Sequence, residues 1–130
     1  MRLGYTIVYV EDVIATVEFY ERAFGLSRKF IHESKLYAEM ETGETVLAFA
    51  ANQMADLNGF SIRPNASTET AAGFEIAFVS EQPEEKFKVA VAAGASPLKD
   101  PETKPWGQIV GYVRDLNGCL VEIASPVSKD

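Results

Sequence analysis

The sequence predicts an α+β fold made of two modules that share one βαβββ plan. Strand-like runs rich in β-branched and aromatic residues open both halves, at Tyr5–Tyr9 and at Glu75–Val79. Each run leads into an amphipathic helical pattern that stops at a glycine, Gly25 in the first half and Gly94 in the second. Apolar strands joined by short turns complete each half. The repeat predicts a pseudo-twofold arrangement, with a curved sheet around a cleft and the helices on the outer face.

Length and composition indicate a single domain. The chain has 130 residues, of which 47% are hydrophobic and 24% charged, as is ordinary for a globular protein with a core. We expect residues 1–130 to form one domain, with module 1 at about 4–51, a connection at about 52–72 and module 2 at about 73–125. No apolar run approaches the roughly 18 residues that span a bilayer, and no signal peptide precedes the first strand. The expectation is therefore a cytoplasmic protein without a membrane partner.

The charge and cysteine content narrow the classes of partner. A net charge of −7 argues against nucleic acid, whose backbone requires clustered Lys and Arg. It is compatible with cationic ligands, although surplus acid also simply keeps a protein soluble. Cys119 is the single cysteine, so no intrachain disulfide can form. Its apolar neighbours indicate a small core residue.

Local signals place the elements of module 1. Asp12 is suited to cap a helix, and an apolar stripe at helical spacing follows it, at Val13, Val17, Tyr20 and Phe24. Three strands are predicted after the helix, at 26–31, 36–40 and 45–51.

Module 2 follows the least regular stretch of the chain, residues 52–72. Pro83 suits the first turn of a helix whose buried stripe contains Phe87, Ala90 and Val91. Three strands are predicted at about 96–98, 108–114 and 119–124, and Asp115–Gly118 forms the last hairpin turn.

Alternation along the strands separates a helix-facing set from a cleft-facing set. Phe74, Ile76 and Phe78 are expected to face the helix layer, which directs Glu75 to the cleft. The same parity directs further residues to the cleft: Tyr5, Tyr9, Ala48 and Glu122. Two carboxylates in one cleft suit general acid–base work, or each is solvated or hydrogen-bonded to Tyr5, Tyr9 or an arginine.

The whole chain resembles the vicinal oxygen chelate superfamily, which includes glyoxalase I, bleomycin-resistance proteins, extradiol dioxygenases and fosfomycin-resistance enzymes. The motifs that carry the resemblance are Val10-Glu11-Asp12 with Phe19-Tyr20 and Phe24-Gly25-Leu26, and Asp115-Leu116-Asn117-Gly118 followed by Glu122. Pro105-Trp106-Gly107 is most similar to the bleomycin-resistance branch. The resemblance implies a homodimer.

The resemblance also implies where a metal would be held. Metal-dependent members take one ligand from each of four strands, usually two histidines and two glutamates. By position these fall on Tyr5, Ala48, Glu75 and Glu122, so only the last glutamate is retained. The sole histidine, His32, lies outside the pattern and is expected to be a surface or hydrogen-bonded residue. We therefore expect no cofactor and no metal, or at most a weakly held divalent cation on Glu75 and Glu122.

The leading functional expectation is a small-molecule-binding protein that sequesters a partly aromatic compound able to carry positive charge, such as an antibiotic. Its ligand-binding residues would be Tyr5, Tyr9, Ala48, Glu75, Trp106, Tyr112 and Glu122, with Tyr37 as a further stacking candidate. The alternative is an isomerase, lyase or dioxygenase-type enzyme of the same superfamily, in which Glu75 and Glu122 act as catalytic base or weak metal ligands. A third alternative is a vestigial cleft in a protein that assembles with a partner.

Overall fold

The computed structural model describes residues 1–127, which contain eight strands and three helices. Their order along the chain is β1 (Tyr5–Val10), α1 (Val13–Phe24), β2 (Ser27–Ile31), β3 (Tyr37–Glu41), β4 (Val46–Ala51), α2 (Gln53–Leu57), β5 (Glu75–Val79), α3 (Pro83–Ala92), β6 (Ser96–Thr103), β7 (Ile109–Arg114) and β8 (Leu120–Ala124). The βαβββ order occurs twice, with α2 as an addition between the two copies.

The chain divides into two compact units, unit 1 from Met1 to Asn65 and unit 2 from Ala66 onward. Unit 1 contains one four-stranded sheet in the order β1-β4-β3-β2, and unit 2 contains another in the order β5-β8-β7-β6. In each sheet the first pair of strands is parallel and the other two pairs are antiparallel. The identical strand orders confirm the predicted α+β repeat.

Helix α1 begins and ends where its sequence signals predict. The Asp12 carboxylate accepts a hydrogen bond of 2.9 Å from the backbone N–H of Ala15, as an N-cap does. Gly25 ends the helix with a φ of 69°, and its N–H donates to the Glu21 carbonyl. Val13, Val17 and Tyr20 of the apolar stripe are buried and Phe24 is half-buried. Tyr20 packs against Phe49 of β4 with ring centroids 4.8 Å apart. The helix thereby covers one face of the unit 1 sheet.

Helix α3 covers the sheet of unit 2 in the same way. Pro83 occupies its first turn, and Phe87 and Ala90 are buried. A Cβ added to Gly111 on β7 would lie only 3.1 Å from the Phe87 ring. Because side chains alternate along β7, the Gly111 position faces α3 and Tyr112 faces the other side of the sheet.

Three sequence expectations for local structure are wrong. The stretch 52–72 contains α2, a five-residue helix that is too short to produce a periodic apolar pattern. Strand β6 runs to Thr103 although it contains Pro97 and Pro101; it is an edge strand of its sheet, where proline is tolerated. Phe74 lies before β5 and is 40% exposed instead of packing under the helix layer.

No helix within residues 1–127 has the length and apolar character needed to cross a membrane.

Candidate functional site

Two carboxyl groups and a phenol come together on the face of the unit 2 sheet that α3 does not cover. Strand pairing sets Glu122 directly between Ala77 on β5 and Tyr112 on β7. The Tyr112 hydroxyl donates a hydrogen bond of 3.1 Å to Glu122 Oε1. Glu75 on β5 is hydrogen-bonded to Glu122 as well. Glu75 and Glu122 are called the acid pair below.

Glu75 of the acid pair differs from an isolated glutamate in its pKa. Partial burial, the negative charge of Glu122 and the hydrogen bond to Glu122 all raise the pKa of Glu75 above its ordinary value. Burial, followed by the hydrogen bond to Glu122, also raises the pKa of Tyr112, which keeps this hydroxyl protonated as a donor. Glu75 therefore keeps its proton to a higher pH than an isolated glutamate does.

The acid pair has no basic partner in the described part of the chain. The ion pairs there join Arg28 to Glu21 and Lys104 to Glu102, away from the pair. Arg114 belongs to the same strand as Tyr112, but its guanidinium is occupied by backbone carbonyls, including that of Glu69 at 2.6 Å. Within unit 2, the partner of Glu122 is thus a tyrosine of the neighbouring strand.

On the sheet of unit 1, the side chains of β1 alternate between exposed and buried. Tyr5 and Ile7 are 56% and 46% exposed, and Val8 is buried. Tyr9 is half-buried, and the ring of Phe60 meets it edge-on at 6.3 Å. Ala48 pairs with Ile7 on one side and is itself completely buried.

A third carboxylate, Glu39 on β3, was not singled out from the sequence. It lies opposite Ala48, is only 8% exposed, and accepts a hydrogen bond of 2.8 Å from the Tyr37 hydroxyl. The alternation Tyr37-Ala38-Glu39-Met40 indicates the face of β3 on which Glu39 lies. Ala38 and Met40 form the buried apolar side of β3, which places Tyr37 and Glu39 together on the other side.

Trp106, the loop aromatic singled out from the sequence, lies in the turn between β6 and β7. Its ring is 61% exposed, and its indole N–H donates to Gln108 Oε1 at 2.8 Å. This tryptophan is therefore not part of a core, and its hydrogen bond goes to Gln108 instead of the acid pair.

Comparison with known proteins assigns the family. A family model for the glyoxalase/bleomycin resistance protein/dioxygenase superfamily matches residues 2–123. The chain belongs to this superfamily.

Individual relatives of this superfamily are distant in sequence. The chain is 25% identical to the virulence protein STM3117 of Salmonella typhimurium, over 97% of this chain and 85% of that protein. The solved structure of a glyoxalase-related enzyme from Fulvimarina pelagi has a TM-score of 0.82 and 22% identity, over 100% of this chain and 94% of that one. A glyoxalase/bleomycin resistance protein/dioxygenase family enzyme from Burkholderia phytofirmans PsJN has a TM-score of 0.78 and 23% identity, over 98% and 100% of the two chains. These likenesses support the fold.

The residues of this superfamily member do not fit the four-ligand metal centre that its fold implies. Ala48 has no donor atom, and Tyr5 replaces an imidazole with a phenol. Within residues 1–127, no group of three or more His, Cys, Asp or Glu side chains is arranged to hold a metal ion. The sole imidazole, that of His32, lies at a turn, and its Nδ1 is hydrogen-bonded to the Ser34 hydroxyl at 2.8 Å.

Proposed function

We propose that this superfamily member binds a small organic molecule with a basic group and holds it non-covalently at the acid pair. The observation that supports the proposal is the cluster of Glu75, Glu122 and Tyr112, which gathers two carboxyl groups without a cation from the described residues. A protonated amine can replace the proton of Glu75 and satisfy both carboxylates with charge-assisted hydrogen bonds. The net charge of −7 also favours the approach of cations.

The ligand proposed for this site is partly aromatic. Tyr112 presents a ring beside the acid pair, and exposed Trp106 offers a second ring in the same unit. Aromatic side chains stack on planar ligands and attract cations through their faces. Sequestration of a cationic aromatic compound, such as an antibiotic, is the role that this combination supports best.

Calorimetry with 2-phenylethylamine, and with neutral 2-phenylethanol as the matched ligand, tests the proposal. Wild-type protein should bind the amine and discriminate against the alcohol. Glu122→Gln and Glu75→Gln should each lower the affinity for the amine by about tenfold, because each variant removes a charge-assisted hydrogen-bond partner. Glu84→Gln, an exposed residue of α3 with the same change in charge, is the control and should leave the affinity unchanged. Equal affinity in all four proteins would contradict the proposal.

A second candidate function is proton transfer, favoured by the raised pKa of Glu75. A carboxyl group whose pKa is raised above its ordinary value, beside a tyrosine hydroxyl, can act as general acid and base on a bound carbonyl compound. Hydrogen–deuterium exchange at carbons next to carbonyl groups, followed by NMR across a panel of small ketones and hydroxy acids, separates the two functions. Exchange that is lost in Glu75→Gln would favour the enzyme, whereas compounds recovered unexchanged would favour sequestration.

We also propose that the chain forms a homodimer. Several large apolar side chains are exposed in both units, among them Ile7 at 46%, Val79 at 64% and Leu98 at 50%. Surfaces of this kind are commonly covered by a partner. Sedimentation velocity at micromolar concentration should give the mass of two chains, and a monomer would contradict the proposal.

A further inference from the structure

We propose that Arg114 determines whether the acid pair accepts a cation, because its guanidinium has two alternative partners, segment 66–69 and Glu122. In the structure the guanidinium binds the segment, which leaves the acid pair open. In the other arrangement Arg114 would compete with a basic ligand for the same carboxylate. This inference rests on the function proposed for the acid pair, and all of its residues belong to unit 2.

Arg114 lies on the same face of the sheet as the acid pair. The Gly111 position on β7 faces α3, so alternation places Tyr112 and Arg114 together on the uncovered side. Strand pairing sets Arg114 opposite Leu120 on β8, and Tyr112 opposite Glu122. Arg114 and Glu122 are therefore diagonal neighbours, at a separation that long side chains span. An ion pair between them is within reach, yet the ion pairs of residues 1–127 do not include it.

The guanidinium of Arg114 is held instead by neutral oxygen atoms. Its Nε donates to the Gly118 carbonyl at 2.9 Å, and its Nη2 donates to the Glu69 carbonyl at 2.6 Å. Longer hydrogen bonds, of 3.4 and 3.5 Å, reach the carbonyls of Ser67 and Ala66. Gly118 leaves room for this position, because a Cβ there would lie 2.5 Å from Nη2. The planar fork of donors on arginine suits several carbonyls at once, whereas the compact ammonium of lysine does not.

Segment 66–69 depends on Arg114 for its attachment to the rest of unit 2. Among residues 1–127, the hydrogen bonds that join this segment to other parts of the unit all come from the Arg114 guanidinium. A further bond, from the Glu69 N–H to the Ala66 carbonyl, is internal to the segment. A guanidinium binds a carboxylate more strongly than a neutral carbonyl, because both partners are then charged. When the segment leaves the guanidinium, Glu122 is therefore the partner that Arg114 gains.

This exchange of partners would close the acid pair to basic ligands. Arg114 on Glu122 supplies the positive charge that a protonated amine would otherwise supply, so the two cations exclude each other. The same charge favours the ionised form of the neighbouring Glu75. Segment 66–69 thus keeps an internal cation away from the ligand site, and its release makes the protein reject cations.

Replacement of Arg114 by lysine and by glutamine separates the two arrangements. Arg114→Lys keeps the positive charge but loses the fork that binds the segment, so its ammonium should turn to Glu122. Arg114→Gln has no charge to offer. Calorimetry should give about tenfold lower affinity for 2-phenylethylamine in Arg114→Lys than in the wild type and in Arg114→Gln. Arg63→Lys, at an exposed arginine of unit 1, is the matched control and should bind the amine as the wild type does.

A measurement without ligand keeps this inference separate from the function proposed for the acid pair. NMR titration should give a lower pKa for Glu75 in Arg114→Lys than in the wild type, although the two proteins have the same net charge, because the ammonium has moved to the pair. If no variant binds the amine, the proposed function fails and this pKa difference still decides the inference. An equal pKa of Glu75 in the two proteins would overturn it, as would equal amine affinities where the amine binds.

Thermal unfolding checks that Arg114→Lys is folded. If it is not, Gly118→Ala replaces it, because the added Cβ displaces both the guanidinium and the segment while the arginine is kept. Addition of Arg114→Gln to that variant should raise the pKa of Glu75 and, where the amine binds, its affinity. An unchanged pKa of Glu75 in the double variant would equally contradict the inference.

Discussion

Tyr112 and Glu122 face each other across β7 and β8, and the Tyr112 hydroxyl donates to the Glu122 carboxylate at 3.1 Å. In unit 1 the corresponding positions of the repeat are Glu39 on β3 and Ala48 on β4. The carboxylate of unit 1, Glu39, lies on the strand beside the parallel pair, whereas that of unit 2, Glu122, lies on a strand of the parallel pair. In both units a tyrosine hydroxyl donates a hydrogen bond to the carboxylate. The repeat conserves the fold of the two units while their tyrosine–glutamate pairs lie at different places.

Protonation of Glu75 should make the stability of the protein depend on pH. Because the pKa of Glu75 is raised in the folded state, the native protein keeps a proton that the unfolded chain has already released. The free energy of unfolding should therefore fall as pH rises from the ordinary glutamate value of 4.5 through the raised pKa. Urea unfolding at successive pH values should show a shallower fall in Glu75→Gln. The same slope in both proteins would contradict the raised pKa of Glu75.

Removal of the Tyr112 hydroxyl should destabilise the fold modestly. Tyr112→Phe keeps the ring and deletes the donor to Glu122, so the free energy of unfolding should drop by about 0.5–1.5 kcal/mol. Tyr5→Phe is the control, because Tyr5 is 56% exposed and its hydroxyl has no hydrogen bond within residues 1–127. Chemical denaturation measures both variants, and equal stability of the two would show that the hydrogen bond contributes nothing.

Substitution of Gly118 by alanine should lower the stability of the protein more than the same substitution at another glycine with a similar backbone conformation. Its φ is 82°, and a Cβ added there would lie 2.5 Å from Arg114 Nη2 and 2.8 Å from the Ala66 carbonyl. Gly43 has a φ of 91° with no atom within 4 Å of the added Cβ. Gly43→Ala should cost about 1–2 kcal/mol from backbone strain alone, and Gly118→Ala a further 1–3 kcal/mol from crowding. Thermal unfolding of both variants compares them, and equal losses would mean that the crowding is relieved.

Cys119 should be unreactive in the folded protein. Burial, with a contribution from the Asp115 charge, raises the pKa of the thiol to about 12, and the residue is 1% exposed. A thiol reagent such as Ellman's reagent at pH 8 should modify the native protein no faster than the chain unfolds, and the denatured chain at once. Rapid modification without denaturant would show that this part of unit 2 opens readily.

Signals that act within a few residues were sufficient to predict most of the fold. Asp12 and Gly25 bound α1 because a capping carboxylate and a left-handed glycine act locally. Alternation correctly directed Glu122 to the side of β8 opposite the buried Val121 and Ile123. The short helix α2 was missed because its five residues are fewer than the window over which periodicity can be detected.

Contacts between strands were harder to predict. The partner of Glu122 depends on the register of β7 and β8, which the loop from Asp115 to Cys119 sets through the bond from Asp115 N–H to the Cys119 carbonyl. Sequence alternation gives the face of a residue but not its neighbour across the sheet. Glu39 lies on β3, a strand that carries none of the four ligand positions implied by the family resemblance.

An NMR titration of the Glu75 and Glu122 carboxyl carbons, with and without 2-phenylethylamine, tests the central claim most directly. If the amine binds the acid pair, its positive charge favours the ionised form of Glu75, so the raised pKa of Glu75 should shift downward, while neutral 2-phenylethanol leaves it in place. The carboxyl signal of Glu84, an exposed residue of α3, gives an internal reference in the same spectra. Binding of the amine without any change in the titration of Glu75 would contradict the assignment of the acid pair as the ligand site.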